Sequence, residues 1–267
     1  RIMGWMMDTY SMFKGYAVPG VVTGKPIEIG GSLGRSEATG RGVAIITEQI
    51  AQKLGLDISK LTVTVQGFGN VGGTAAKLIA QLGSRVVAVS DVTGGYYNPA
   101  GLDINEMLAY TAANKTLEGY SAPGVTRISN TELLTLEVDV LVPAALENQI
   151  DAKIAPDVKA KIIVEGANGP TTNEADKILE EKGIILVPDI LANAGGVVVS
   201  YFEWVQNIQS LMWDLEEVNK MLEKVMVRAF ENVWNEAQTR KISMRMGAYC
   251  VAIEKLVNAI RIRGMFP

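Results

Sequence analysis

The strongest constraint on the fold of this chain is an alternation of short apolar runs with longer amphipathic segments. The short runs are rich in Val and Ile and apolar on both faces, as in strands that helices cover on each side. This pattern predicts an α/β fold with right-handed crossovers and a doubly wound, mostly parallel sheet. The predicted strands are residues 61–67, 85–91, 138–144, 161–167 and 183–189, and the helices between them are residues 70–82, 103–114, 148–159 and 173–182.

Further helical patterns flank this core. Residues 36–54 carry an apolar stripe at helical spacing, and two additional C-terminal helices are predicted from Asp214 to about Gln238 and from Met244 to about Arg261. Residues 1–12 also have a helical pattern, with no start signal ahead of them. We therefore expect the chain to begin within a helix of a longer or processed polypeptide.

The composition excludes several kinds of site. The chain has no histidine and a single cysteine, Cys250, so histidine-based triads, histidine-ligated zinc, internal disulfides and paired-cysteine redox sites are ruled out. No metal site is expected. Cys250 lies in an apolar helical pattern, which favours a buried structural thiol over a nucleophile, in a reducing, cytoplasmic setting.

The net charge and the hydropathy of the chain limit the classes of binding partner that we expect. The net charge of −4 argues against a nucleic-acid partner, which would need clustered Lys and Arg. No apolar run reaches the roughly 18 residues of a membrane-spanning helix. We expect neither a nucleic acid nor a membrane as partner, and look for a small-molecule ligand instead.

A glycine turn connects the first predicted strand to the next helix. Residues 67–72, Gly-Phe-Gly-Asn-Val-Gly, match G-x-G-x-x-G, and Asp91 ends the second strand about 20 residues later. In that pattern Gly67 permits the tight turn, Gly69 lets the backbone approach a pyrophosphate, and Gly72 lets the helix pack on the sheet. We interpret the turn as a dinucleotide site, with Asp91 on the adenosine ribose, rather than as a purely structural turn.

The residues after Asp91 bear on the choice of cofactor. The segment VTGGYY contains no Arg or Lys to receive a 2′-phosphate, and a carboxylate at Asp91 would repel that group. The sequence therefore predicts NAD. NADP stays open, because Arg85 or a basic group from elsewhere in the fold could accept the phosphate.

A second glycine-rich segment, GGSLGRSEATGRG, covers residues 30–42 at the start of a predicted helix. It is either a structural loop capped by Ser36, or a ligand loop in which Arg35 holds a carboxylate. The residues alone leave these two interpretations even.

Two more loops follow predicted strands and so lie at the ligand edge of a doubly wound sheet. EGANGPTT contains Asn168, and PDILANAGGVVVSYFEW contains Asn193. Either amide could meet a ribose or a carboxamide, or could be a turn residue, since Asn tolerates left-handed backbone angles. Val197 and Ser200 share one face of the next segment; Val197 could instead belong to the core, and Ser200 could bond back to its own helix.

Six motifs, taken in order, resemble the cofactor-domain signatures of the glutamate dehydrogenases. They span from about residue 20 to about residue 210 and read GGSLGRSEATGRG, QGFGNVGG, VPAALEN, EGANGPTT, EAD and NAGGVVVSYFEWVQN. The related leucine, phenylalanine and valine dehydrogenases share the glycine turn and the NAGG stretch, so their cofactor domain is the alternative. A non-catalytic nucleotide-binding domain is another.

The resemblance implies a Rossmann-like domain and assigns roles residue by residue. In it, Thr39 and Asn193 lie near the nicotinamide carboxamide, Asn168 near the nicotinamide ribose, and Ser200 faces the side-chain carboxylate of glutamate. The implied cofactor-binding residues are Thr39, Gly67, Phe68, Gly69, Asn70, Val71, Asp91, Ala144, Ala145, Asn168 and Asn193, and the implied substrate-binding residues are Arg35, Val197 and Ser200.

The resemblance also implies two catalytic groups that this sequence does not contain, a lysine in a GGGKGG-type loop and an aspartate in a PAPD-type segment. Lys25 in VTGKPIE and Asp189 in LVPDIL stand in other contexts, so no catalytic residue is assigned. Residues 27–240 are expected to form the dinucleotide-binding domain, and residues 1–26 and 241–267 helical segments that bridge to a substrate domain.

A function follows from the same resemblance. The parent enzyme would oxidatively deaminate L-glutamate to 2-oxoglutarate and ammonia, passing a hydride to NAD, and would be a homo-hexamer. The chain alone is expected to bind NAD(H) without measurable glutamate oxidation.

Overall fold

The computed structural model describes residues 1–264, in which seven strands form one sheet. The sheet has the strand order β4-β3-β2-β1-β5-β6-β7; β2, β1, β5, β6 and β7 are parallel, and β3 pairs antiparallel with both β2 and β4. This confirms the α/β, mostly parallel prediction. The strands are β1 (Thr62–Gln66), β2 (Arg85–Asp91), β3 (Gly94–Tyr97), β4 (Thr126–Ile128), β5 (Val140–Pro143), β6 (Ile162–Val164) and β7 (Ile185–Val187).

Helices cover both faces of the sheet, as the doubly wound prediction requires. Side chains alternate along each buried strand, so Val140 and Val142 of β5 belong to one core and Leu141 to the other. The helices are α1 (Ile2–Lys14), α2 (Ala38–Lys53), α3 (Asn70–Gln81), α4 (Ile104–Asn114), α5 (Asn130–Leu134), α6 (Asn173–Glu181), α7 (Asp189–Ala192), α8 (Gly195–Gln209), α9 (Leu215–Arg240) and α10 (Met244–Arg263).

The order of the strands reverses at β1. From β1 the chain moves outward through β2, β3 and β4, and then returns to place β5 on the other side of β1. In a doubly wound sheet such a reversal leaves a crevice outside the carboxyl ends of the two central strands. The glycine turn after β1 and the loop after β5 therefore face each other across this crevice.

The helix predicted for residues 148–159 is wrong. Asn148 adopts a left-handed backbone with φ of 55°, Ile150 forms a β-bridge with Thr171, and a short 3₁₀ turn covers Ala155–Asp157. The Asp151 carboxylate accepts hydrogen bonds from the N–H groups of residues 153 and 154, which gives the backbone an alternative to a helix.

The antiparallel pair β3 and β4 lies in regions where no strand was predicted. Two glycines open β3, and their place in the sheet depends on a close approach: a Cβ on Gly95 would lie 2.8 Å from Ile128 Cγ1. The five predicted strands are confirmed, four of them shorter than predicted. Asp189, predicted to end the last of them, instead begins α7.

Each terminal segment carries one long helix, whereas residues 15–26 hold only a short 3₁₀ turn at Pro19–Val21. α1 and α10 confirm the predicted helices, and the predicted segment 241–267 includes residues 265–267, which lie outside the described residues. Cys250 on α10 is half-buried, whereas a buried thiol was predicted. Within residues 1–264, no helix is long and apolar enough to cross a bilayer.

Candidate functional site

The glycine turn is held by backbone contacts. Gly67 has a φ of 91°, and a Cβ there would lie 2.7 Å from the Ala144 carbonyl oxygen across the crevice. A Cβ on Gly72 would lie 1.9 Å from the Gly67 carbonyl oxygen, so only glycine lets α3 sit this close to β1. Gly69 has open space where its Cβ would be and precedes α3 with no side-chain cap. The first N–H groups of α3 thus meet an open, uncapped site of the kind that binds anions.

Two cavities lie along the carboxyl ends of the central strands and share Ala144 and Ala145 in their walls. The first, of about 500 Å³, is called the Asp91 cavity, and the second, of about 550 Å³, the Asn193 cavity. Every residue predicted for the site except Asn70 lines one or both. The Asp91 cavity contains Gly67, Phe68, Gly69 and Asp91, and the Asn193 cavity contains Arg35, Thr39, Val71, Asn168, Asn193, Val197 and Ser200.

Asn70 lies beside the turn with its side chain engaged. Its Nδ2 donates to the Ser36 carbonyl oxygen at 2.7 Å, which ties the glycine turn to the loop ahead of α2. Ser36 itself does not cap α2: the N-cap position is Glu37, and no side-chain capping bond forms there. The structural-cap interpretation of Ser36 is therefore wrong.

The Asp91 carboxylate is held in place by three donors. Oδ1 accepts from Thr93 N and Oγ1 at 2.8 and 2.6 Å, and Oδ2 accepts from Leu117 N at 2.6 Å. Each carboxylate oxygen has two acceptor sites, so Oδ2 keeps one site for a ribose hydroxyl. These bonds fix the half-buried Asp91 at the wall of its cavity.

Lys115 also lines the Asp91 cavity, and sequence reasoning missed it. It follows α4 with a left-handed backbone of φ 69°, which ends the helix and exposes the lysine at this cavity. The signal available in the sequence was weak, because a non-glycine residue with positive φ is uncommon. An ammonium group therefore stands at the cavity where none was expected.

At the Asn193 cavity two loops meet through their amides. Asn193 Nδ2 donates to Asn168 Oδ1 at 2.7 Å, joining the loop after β6 to the end of α7. Asn193 has a φ of −91°, and Asn168 is not among the residues with positive φ; the left-handed turn role considered for them is not adopted. Both amides instead form one wall of the cavity.

Small residues bring the N-termini of α2, α3 and α8 to the same cavity. A Cβ on Gly195 would lie 2.1 Å from the Ala38 carbonyl oxygen, and one on Gly196 would lie 2.4 Å from Thr39 Oγ1. A Cβ on Gly40 would lie 2.7 Å from the Val71 carbonyl oxygen. Three positive helix ends thus converge, which favours an anionic ligand.

Arg35, Val197 and Ser200 face the outer part of the Asn193 cavity. Val197 is 68 % exposed, so the alternative of a core role is wrong. Arg35 Nε is buried and has no hydrogen-bond partner among the described residues. A buried N–H without a partner is costly, so a carboxylate ligand would stabilise it.

Two ionic groups that sequence reasoning missed lie behind this cavity. Glu203 of α8 is fully buried and pairs with Lys25, whose Nζ lies 2.5 Å from Oε1. Glu165, directly after β6, is also fully buried, and burial raises its pKa above the usual value while Arg245 opposes the rise. The position of Glu165 at a strand end in EGANGPTT was a signal that the sequence contained.

The site fits a dinucleotide. Uncapped amides at the start of α3, open space above Gly69 and the oriented Asp91 match a pyrophosphate with a ribose beside it. In the part of the chain that the structure describes, no group of three or more acidic or cysteine side chains is arranged to hold a metal ion.

The doubly wound sheet, with a glycine turn at its reversal point, defines a Rossmann-like α/β fold. The sequence profile of the Glutamate/Leucine/Phenylalanine/Valine dehydrogenase family matches residues 30–264. The chain therefore belongs to this family.

Individual relatives agree with that assignment. The glutamate dehydrogenase of Thermotoga maritima is 56% identical over 267 residues, covering 100% of this chain and 64% of the relative. A cryptic catabolic NAD-specific glutamate dehydrogenase of Bacillus subtilis is 50% identical over 264 residues, covering 99% of this chain and 61% of the relative. This chain thus spans somewhat less than two thirds of the length of these relatives.

A solved structure shares the fold closely. The leucine-bound hetero-hexameric glutamate dehydrogenase of Thermus thermophilus superposes with a TM-score of 0.92 at 42% identity, over 100% of this chain and 62% of that one.

Proposed function

We propose that this chain is the NAD-binding part of a glutamate dehydrogenase that oxidatively deaminates L-glutamate to 2-oxoglutarate and ammonia. The observation that carries the proposal is the alignment of the Asp91 and Asn193 cavities at the reversal of the strand order. In this proposal residues 27–240 form the dinucleotide-binding domain, and residues 1–26 and 241–267 are helical segments that lead to a substrate domain.

The Asp91 cavity takes the adenosine half of the cofactor. Asp91 accepts a hydrogen bond from a ribose hydroxyl, and the free N–H groups at the start of α3 receive the pyrophosphate. Gly69 leaves room for this approach. The hydride acceptor of the reaction is the nicotinamide ring of the bound cofactor.

The Asn193 cavity takes the nicotinamide half and the substrate. Thr39 and Asn193 orient the carboxamide, Asn168 meets the ribose, and Ala144 and Ala145 form the apolar wall. On the outer side of the cavity, Arg35 binds a carboxylate of glutamate, and the Ser200 hydroxyl donates a hydrogen bond to a carboxylate of glutamate. These two polar groups favour glutamate over the apolar substrates of the leucine, phenylalanine and valine dehydrogenases. Val197 excludes water from the same face. A substrate panel on the assembled enzyme separates these alternatives.

NAD is the proposed cofactor, rather than NADP. The anchored Asp91 carboxylate supports this choice because it would repel a 2′-phosphate, and the Bacillus subtilis relative is named NAD-specific. Lys115 opposes it only in part, because an exposed lysine at the cavity wall is screened by solvent. NADH should therefore bind more tightly than NADPH; equal or tighter NADPH binding would contradict this choice.

A titration of the 267-residue chain with NADH, followed by nicotinamide fluorescence, tests the cofactor proposal. We expect saturable binding to one site per chain, competed by ADP, and no measurable glutamate oxidation in a parallel steady-state assay. Absence of binding would overturn the proposal, and substantial turnover by this chain alone would overturn its restriction to the cofactor half. The homo-hexamer of the parent enzyme and the cytoplasmic location stay predictions.

A further inference from the structure

We infer that Arg245 is a positioning residue for the Asn193 cavity, acting through Glu165 and Asp189 on the loops that carry Asn168 and Asn193. Arg245 is in the first turn of α10 and does not line that cavity. The inference rests on the proposed function only for the identity of the ligand.

One guanidinium joins three elements of the fold. Arg245 Nε lies 2.8 Å from Asp176 Oδ2 on α6, Nη2 lies 2.8 Å from Glu165 Oε1 after β6, and Nη1 lies 3.5 Å from Asp189 Oδ1 on α7. The Arg245 side chain is only 16% exposed, so these charges interact with little screening. A planar fork with five donors can span three carboxylates in this way, whereas an ammonium group cannot.

The network continues from the carboxylates into the cavity wall. Glu165 Oε2 accepts from the Asp189 N–H at 2.8 Å, and Asp189 Oδ2 accepts from the Gly169 N–H at 2.7 Å. Gly169 directly follows Asn168 and adopts a left-handed backbone with a φ of 55°. The Asn193 N–H donates to the Asp189 carbonyl oxygen at 3.0 Å. Asp189 thus fixes the backbone beside both cavity amides.

Charge balance explains why this path depends on Arg245. Glu165 is fully buried, and Arg245 is the cation that pairs with it in the described part of the chain. Without the guanidinium, a buried carboxylate is left unpaired, and it must protonate or move. Either change weakens the Asp189–Gly169 contact and loosens the Asn168–Asn193 pair.

Asp176 provides a matched control inside the same cluster. It contacts Arg245 from α6, but neither of its oxygens bonds to the loops of the cavity. Loss of the Asp176 charge therefore removes an ion pair of the same kind while leaving the path through Glu165 and Asp189 intact. A purely structural role for Arg245 predicts similar effects at both positions.

The test compares Arg245→Met, Arg245→Lys and Asp176→Asn in the 267-residue chain, using NADH and ADP as probes. ADP reaches only the glycine turn and the Asp91 cavity, so its Kd reports on the part of the cofactor site that Arg245 does not position. For Arg245→Met we expect the NADH Kd to rise roughly tenfold while the ADP Kd stays within about twofold. Arg245→Lys should fall between wild type and Arg245→Met, and Asp176→Asn should change neither Kd.

Amide hydrogen exchange of the ligand-free chain supplies an independent readout. Gly169 and Asn193 should exchange faster in Arg245→Met, while the amides of β1 and α3 should not. Equal weakening of NADH and ADP binding, or unchanged exchange at Gly169, would overturn the inference. If wild type fails to bind NADH, the proposed function fails, and the exchange data still decide the role of Arg245.

A second variant covers the case in which Arg245→Met does not fold. Asp189→Ala removes the acceptor for the Gly169 N–H, together with the contacts of Asp189 Oδ1 to Arg245 and to the Ile190 N–H, and leaves the Arg245–Glu165 pair in place. We expect the same selective loss of NADH affinity and of Gly169 protection. Retention of both in Asp189→Ala would overturn the inference.

Discussion

At the Asp91 end of the crevice the glycine turn depends on close backbone contacts, whereas at the Asn193 end buried ion pairs hold the loops from behind. The glycine turn leaves 1.9 Å between the Gly67 carbonyl oxygen and the place where a Gly72 Cβ would be. Behind the Asn193 cavity, Lys25–Glu203 and Arg245–Glu165 each place a fully buried carboxylate against a cation. Added atoms therefore disturb the glycine turn, and the Asn193 end is in addition sensitive to the removal of charge.

Side-chain anchoring at the Asn193 end extends along α8. Glu203 accepts from the N–H groups of Gly24 and Lys25 as well as from Lys25 Nζ. One turn further on, Gln206 donates to Ser32 and Asn207 donates to the Gly30 carbonyl oxygen. The segment that leads to Arg35 is thus fastened to the helix that carries Val197 and Ser200.

The largest expected effect comes from Glu203→Gln, which removes charge at the Asn193 end. The amide has one accepting oxygen where the carboxylate has two, so one backbone N–H loses its acceptor and the buried Lys25 ammonium loses its counter-charge. The free energy of unfolding should therefore fall by about 3–5 kcal/mol. Urea denaturation measures this change. A Lys25→Met/Glu203→Gln double variant should regain part of the loss, since no buried charge is left unpaired. If Glu203→Gln lowers the free energy of unfolding by no more than an ordinary surface substitution does, the buried ion pair does not support the Asn193 end as described.

Adding a methyl group at the Asp91 end should cost less than that. Gly72→Ala places Cβ against the Gly67 carbonyl oxygen, and α3 must move away from β1, lowering the free energy of unfolding by about 1–3 kcal/mol. Gly69→Ala is the matched control, because its Cβ meets open space and its φ of −79° suits alanine. This control should unfold like wild type and bind both NADH and ADP roughly tenfold more weakly, as its methyl group occupies the pyrophosphate approach. Equal destabilisation by both variants would contradict the backbone account.

Lys115→Asn sharpens the comparison within the Asp91 cavity. Asparagine tolerates the left-handed backbone at this position, so the change removes charge without strain. NADPH affinity should fall by at most about fivefold, the range of an exposed ion pair, and NADH affinity should not change. Lys159→Asn, at an exposed lysine ahead of β6, is the control and should alter neither Kd. An equal effect on both cofactors would show that Lys115 does not face the 2′ position.

The smallest effect is expected at Asp139, which precedes β5 at the amino ends of the central strands, away from both cavities. Burial alone would raise the pKa of Asp139, but Lys161 and Thr62 outweigh it and hold that pKa below the usual 3.8. A carboxyl whose pKa is lower in the folded chain than in the unfolded chain stabilises the fold at pH values above the unfolded pKa. This stabilisation is lost as the pH falls through the folded pKa. Asp139→Asn should therefore be less stable than wild type near neutral pH, with a gap that closes in acid, and NADH affinity unchanged. A gap that is constant with pH would contradict this assignment.

The two ends of the crevice also differ in how far the sequence predicts them. The glycine turn, its strand and Asp91 are local patterns, so they were found without the structure. Lys25 and Glu203 are 178 residues apart, and Arg245 and Glu165 are 80 apart, so no local pattern connects them. The helix predicted for 148–159 failed for a related reason: the pairing of Ile150 with Thr171 outweighs local helical preference.

A crystal structure of this chain with NADH tests the central claim most directly. The account predicts the pyrophosphate at Gly69 and the start of α3, the adenosine ribose at Asp91, and the nicotinamide between Ala144 and Asn193. A cofactor bound elsewhere, or bound with its nicotinamide in the Asp91 cavity, would contradict it.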